Sequence, residues 1–325
     1  MTRDYEPIDP TRIKTYSLRR RRHKSSVSQV STLPGPGATA GELLASFPGY
    51  LGALAFGKVV DAIVAAVRAD RPVAAAFGAH VIKVGCGSVI IDFVKRGIVR
   101  AVSCNGACAI HDVEIALNGE TSEEVAETIR EGTFGMVAET LEFFDQAVAR
   151  ARRDSLGLGT AIGELLIERN APFVQHSVFA AAREASIPIG VHVALGTDTI
   201  HVSRGMDGAA LGEASMRDFR LVCDVVSDLG AAGDSDAGGV WLNIGSAVVL
   251  PEVFLKAVSV ARNLGANLDR MTTANLDMIR HYRPVQNVVS RPVAPGRGHE
   301  IIGHHEIMLP LLRQAVVEKL AATSG

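Results

Sequence analysis

The chain has 325 residues, 47% hydrophobic and 21% charged, with a net charge of -2 and a pI near 6.6. It is long enough to bury a sizeable core, in one α/β domain or two, and its charge excludes a general nucleic-acid binder. No apolar run reaches the roughly 20 residues that cross a bilayer, the opening M-T-R-D-Y-E-P-I-D-P lacks a signal-peptide apolar region, and four cysteines make no disulfide framework, so a cytoplasmic protein is expected.

Residues 1–38 read as a basic N-terminal arm, flexible or packed on a partner subunit. Arg19-Arg20-Arg21-Arg22-His23-Lys24 is a solvated run or a phosphate- or partner-binding one, and Pro34-Gly35-Pro36-Gly37 closes the arm. Residues 39–325 read as a single domain. Leu43, Leu44, Phe47, Leu51, Leu54, Val59, Val60, Ile63 and Val64 recur at helical spacing. A strand is predicted over 72–77, ending in Gly78-Ala79-His80, then a helix over 89–95 and a strand over 98–103. Helices are predicted over 121–131 and 134–152, the first opened by Thr121 and Ser122 with Glu123 and Glu124 behind them, in the manner of a capping sequence. Further helices fall at 162–167 and 174–185. A strand over 189–195 runs into Gly196-Thr197-Asp198, and a helix covers 219–228. Residues 231–239 read as a loop, 239–244 as a strand ending in Gly245-Ser246, and 251–264 as a helix. Residues 271–306 read as loop-like, and 309–321 form the last helix.

Strands alternating with helices, with glycine at strand ends, predict an α/β fold with a mostly parallel sheet covered on both faces. Neither G-x-G-x-x-G nor G-x-x-x-x-G-K-[ST] is present, so the usual dinucleotide and P-loop signatures are absent. In a parallel sheet the strand-end turns share one edge and line one crevice. The richest turn is Ser103-Cys104-Asn105-Gly106-Ala107, followed at once by His111, Asp112 and Glu114. His111 and Asp112 are expected to be an acid–base pair, because a carboxylate beside an imidazole tunes it. An aspartate near a helix start is also a common cap. Glu114 and His201 join the catalytic candidates. Gly78, Asn105, Gly106, Gly245 and Ser246 are candidate cofactor contacts, the glycines because a side chain would block a phosphate or ribose.

The late segment is dense in Arg, His and Asn. Arg283, Arg291 and Arg297 suit a phosphate or carboxylate, while His304, His305 and Glu306 suggest a metal or acid–base cluster. Adjacent histidines usually point apart, the spacing is not a strict zinc pattern, and Cys104 and Cys108 lack a second pair. No metal is expected. Arg283, Arg291, His304, His305 and Glu306 are therefore assigned to substrate.

The order of these turns resembles the deoxyhypusine synthase family. The resemblance runs over roughly residues 40–320, through V-R-A-V-S-C-N-G from Val99, A-L-G-T-D from Ala194, L-V-C-D-V-V-S-D-L from Leu221, G-V-W-L-N-I-G-S from Gly239 and T-T-A-N from Thr272. It implies a three-layer Rossmann-like sheet, NAD as cofactor, and a homotetramer or dimer with the crevice near a subunit interface. It also implies that Asp198 holds a ribose hydroxyl or a cationic group and that Thr273 and Ala274 touch cofactor. The family's imine-forming lysine belongs in the late loop. Here that loop reads Asn287-Val288-Val289-Ser290-Arg291-Pro292, and Lys319 is the only lysine after Lys256. An arginine cannot form the imine. The expected function is thus a deoxyhypusine synthase-like enzyme acting on a small polar molecule, polyamine-like or anionic. A genuine deoxyhypusine or homospermidine synthase with a displaced lysine, or a non-catalytic oligomeric scaffold, are the alternatives.

Overall fold

The computed structural model describes residues 4–230 and 237–322. Its centre is a six-stranded parallel sheet in the order β3-β2-β1-β4-β5-β6. The strands are β1 (Val73–Phe77), β2 (Ala101–Asn105), β3 (Ile189–His192), β4 (Val240–Ile244), β5 (Thr272–Asp277) and β6 (Gly298–Ile302). The helices in chain order are α1 (Ala40–Ala45), α2 (Leu51–Arg68), α3 (His80–Lys83), α4 (Gly87–Lys95), α5 (Gly106–Asn118), α6 (Val125–Glu131), α7 (Ala138–Arg153), α8 (Leu158–Glu168), α9 (Val178–Glu184), α10 (Gly208–Ser227), α11 (Val249–Asn263), α12 (Tyr282–Pro284) and α13 (His305–Ala321). Helices on both faces bury the strands, so β1 needs no polar alternation and reads V-A-A-A-F, buried throughout.

The sheet has two distinct faces. Val73, Ala75 and Phe77 of β1, with Leu242 and Ile244 of β4, enter the larger core with α2, α4, α5 and α13. Ala74, Ala76 and Trp241 face a second core under α10 and α11, where Trp241 stacks on Phe254 at 4.5 Å. The small alanines of β1 let these helices approach the sheet closely.

Chain direction reverses its march between β1 and β4, which puts a topological switch point at their carboxyl ends. There the two strands run almost into contact. A Cβ on Gly78 would lie 2.3 Å from the carbonyl oxygen of Gly245, and Gly245 itself has φ +61°, a region that favours glycine.

Several elements differ from the sequence reading. Residues 271–306 are not loop-like: they hold β5, α12, a π-helical turn (Val285–Ser290) and β6. The apolar periodicity fails there because β5 buries T-T-A-N-L-D, a strand whose inner face is polar. β3 stops at His192, short of residue 195, and α10 begins at Gly208, capped by Asp207, well before residue 219. α6 begins at Val125, so Thr121 and Ser122 cap nothing. Residues 231–236 of the expected loop lie outside the described residues. Residues 4–39 are exposed throughout. Backbone bonds from Thr32 to Ser46 and from Gly49 to Gln29 tie the arm to the turn between α1 and α2.

Candidate active site

Strand register aligns one row of residues along the carboxyl edge of the sheet. His192 pairs with Asn105, and the pairing of Phe77 with Cys104 and Ile244 carries Gly78 between Asn105 and Gly245. Asp277 follows on β5. The switch point therefore has glycine on both flanking strands, with His192 and Asn105 to one side and Asp277 to the other. Below this row, fully buried Asn243 donates to Asn275 at 2.8 Å and to the carbonyl of Ser246 at 2.9 Å. Ser246 in turn accepts from Leu250 of α11 at 3.3 Å.

Two histidines at this edge are buried with ring nitrogens that find no hydrogen-bond partner among the described residues. His192 is 5% exposed and its Nε2 has no hydrogen-bond partner. Burial pulls its pKa down to about 4. His305, at the start of α13, is fully buried with both ring nitrogens unpartnered, and burial lowers its pKa as well. A Cβ on Gly245 would sit 2.6 Å from His305 Nε2, and the His80 ring lies 5.8 Å from the His305 ring. His304 points the other way, mostly exposed, with Nδ1 3.7 Å from Glu306. The two adjacent histidines thus serve different environments. No group of metal-ligating side chains occurs among the described residues.

Beside this edge, over the ends of β2 and β3, lies an open cleft of about 1040 Å³. Its walls come from α5, from residues 120–125, from the start of α7 and from Thr197-Asp198-Thr199. Glu114, Glu120, Glu123, Glu139 and Asp198 line it, against only Lys83 and His111 as basic side chains. The cleft is an acidic one. Asn105 opens α5 by accepting from the Cys108 N–H at 3.0 Å. Asp198 lies directly on the first turn: a Cβ on Gly106 would meet its Oδ2 at 2.0 Å. Burial raises the Asp198 pKa, opposed by His201, the Thr197 hydroxyl and the Ala107 N–H. Its Oδ2 has no hydrogen-bond partner among the described residues.

The structure assigns the sequence candidates to different places. His111, Glu114 and Asp198 share the cleft. Asp112, expected beside His111, is buried on the other side of α5, where it accepts from Ser177 at 2.5 Å and from the Val178 N–H at 2.7 Å. It ties α5 to the start of α9, with both oxygens engaged there. His201 also turns inward. Its Nδ1 accepts the N–H groups of Gly196 at 3.1 Å and Asp198 at 3.3 Å, so it shapes the Thr-Asp turn and places its Nε2 4.0 Å from Asp198.

Thr273 and Ala274 sit in the amino half of β5 with no exposed surface, and the Thr273 hydroxyl is spent on Val288 at 2.6 Å. The carboxyl end of that strand, Asp277, is the residue at the edge. Arg283 pairs with Glu252 at 3.2 Å. Arg291 hydrogen-bonds Asn287 at 3.0 Å and Tyr282 at 3.4 Å, bracing its own turn. Neither arginine lines the cleft. The sequence reading overlooked His192, Asp277 and Thr121. His192 was hidden inside an overlong strand, and Thr121 was spent as a cap.

No family model matches the sequence, and no curated protein does. Solved structures share its fold. The ternary complex of AgrE with ornithine and NAD+ superposes with a TM-score of 0.55 at 13% identity, covering 83% of this chain and 33% of that one. Unliganded AgrE gives 0.55 at 16% identity, over 82% and 33%. A candidate deoxyhypusine synthase from Entamoeba histolytica gives 0.50 at 12% identity, over 87% and 94%. The chain spans about a third of the length of AgrE. At these identities the likeness is one of fold: a Rossmann-like parallel α/β sheet.

Proposed function

We propose that this chain is an NAD-dependent enzyme acting on a small cationic amine. The observation that carries this reading is the acidic cleft, five carboxylates against one lysine and one histidine, beside a switch point flanked by glycine on both strands. Excess carboxylate in a partly desolvated cleft favours a cation, because charges interact more strongly there than in water.

The residues present fit a dinucleotide. Gly78 and Gly245 admit close backbone approach where the sheet order reverses. His192 Nε2, both nitrogens of His305 and Asp198 Oδ2 are buried polar atoms without a hydrogen-bond partner among the described residues, and such atoms normally have one. Gly78, Gly245, Ser246, Asn105 and Asp277 would hold the cofactor, whose chemistry is hydride acceptance. Asp198 would accept from a ribose hydroxyl or a substrate ammonium. AgrE, which shares the fold, has been seen with ornithine and NAD+, a pairing of dinucleotide with a small amine that supports the reading.

Titration calorimetry with NAD+, and separately with ornithine and spermidine, tests it. Heat from NAD+ and from at least one amine is expected. No heat from any of them at millimolar concentration would end the proposal.

A second reading has one observation in its favour. Lys83, on the helix after β1, lines the same cleft and is a primary amine near the carboxylates. Imine chemistry from that side would restore aminobutyl transfer despite the missing late lysine. Release of 1,3-diaminopropane from spermidine and NAD+, abolished in Lys83→Arg, would establish it.

A further inference from the structure

The side chain of Thr121 lies between His111 and Glu114. Its hydroxyl donates to Glu114 Oε2. The other oxygen of Glu114 accepts from Thr140 at 3.1 Å. His111 Nδ1 is 3.8 Å from Glu114, beyond hydrogen-bond range, but only 2.7 Å from Thr121 Oγ1. A threonine hydroxyl carries one proton. With that proton on Glu114, Oγ1 can meet Nδ1 only as an acceptor, so Nδ1 carries the hydrogen. The neutral ring then has its lone pair on Nε2, for which no protein partner is found among the described residues. Glu114 is suited to anchor the chain. Burial pushes its pKa up, but the nearby His111 ring and the hydroxyls of Thr121 and Thr140 outweigh burial and hold the carboxyl below its usual range.

We propose that Thr121 and Glu114 form a positioning relay that fixes His111 in the Nδ1–H tautomer, making Nε2 the general base for a substrate ammonium group in the cleft. The step is a proton transfer without redox change. An N–H bond of the ammonium breaks, its electron pair stays on nitrogen, and the proton bonds to Nε2. The products are a free amine, now nucleophilic, and an imidazolium whose charge faces Glu114 through Thr121. This inference rests on the cationic-amine reading for its substrate, though not for its tautomer.

The tautomer can be read directly. Full-length protein is labelled with 15N-histidine, and His111 is picked out of the ten histidines by its loss in His111→Gln. At pH 8 the wild type should show a pyrrole-type Nδ1 and a pyridine-type Nε2. Thr121→Ala and the shape-matched Thr121→Val should lose that pattern, and Thr121→Ser should keep it. A pyridine-type Nδ1 in the wild type, or an unchanged pattern in both Thr121→Ala and Thr121→Val, would overturn the relay. Amine binding is measured on the same samples by calorimetry with spermidine. Absence of binding beside the expected tautomer would overturn the substrate half alone. Binding beside the wrong tautomer would overturn the relay and leave the amine reading intact.

Discussion

His192 offers the sharpest physical test of the carboxyl edge of the sheet. Burial alone holds its pKa at about 4 against the ordinary 6.5. Above pH 6.5 the ring is neutral in both the folded and unfolded chains and contributes no pH dependence. As pH falls through 6.5 the unfolded chain takes up a proton that the folded chain refuses until about pH 4, so stability is lost across that window. The gap corresponds to about 3 kcal/mol in full, and to about 2 kcal/mol at pH 5. Other groups run the opposite way. Burial raises Asp112 to about 6 and Asp218 to about 7. Each makes the folded chain hold a proton that the unfolded chain releases, so each adds stability as pH falls through its folded pKa. The total stability curve therefore hides His192, whereas the difference between wild type and His192→Gln isolates it. In urea denaturation the variant should gain about 2 kcal/mol relative to wild type between pH 8 and pH 5. A difference that stays constant over that range would refute the argument that burial keeps the His192 imidazole neutral.

Three other outcomes follow from the same geometry. Asp112→Ala should cost about 2–5 kcal/mol in denaturant melts, because it strands the Ser177 hydroxyl and the Val178 N–H in the core; a cost below about 1 kcal/mol would return Asp112 to the list of catalytic candidates. Gly245→Ala should destabilise the fold through its φ of +61° and the 2.6 Å approach to His305, and Gly245→Ala/His305→Ala should recover part of that loss in a double-mutant cycle. Asp198→Asn keeps shape while removing charge, so calorimetry should show amine affinity reduced about tenfold or more with melting nearly unchanged; equal affinity would place the cation elsewhere in the cleft.

The fold was legible wherever apolar pattern and glycine punctuation agreed. β1, the β2 turn and β4 each carry a short apolar run into glycine, and each lies where such a run belongs. The segment after Met271 broke the rule for a physical reason. β5 hides a threonine and an asparagine by pairing them with Val288 and with Asn243, so a buried strand presents the composition of a loop. β6 follows with intermediate burial at the sheet margin. Neither satisfies an alternation test, because the groups that engage these polar side chains lie more than ten residues away, which no local window contains.

The site was half legible for a related reason. Strand-end placement picks out His111, Glu114 and Asp198, since position along a parallel sheet depends on little more than element order. Which way a side chain turns from a helix is decided by its neighbours. Asp112 is one residue from His111, yet it faces α9 because Ser177 and Val178 offer it donors. Thr121 lies ten residues from His111 and meets it because Gly119, with φ +80°, ends α5 and folds the chain back over the helix. Adjacency in sequence suggested Asp112 as the partner of the imidazole, and the structure turns it away. The chain reversal at Gly119 brings Thr121 back onto the helix, where its hydroxyl meets both His111 and Glu114, one helical turn away.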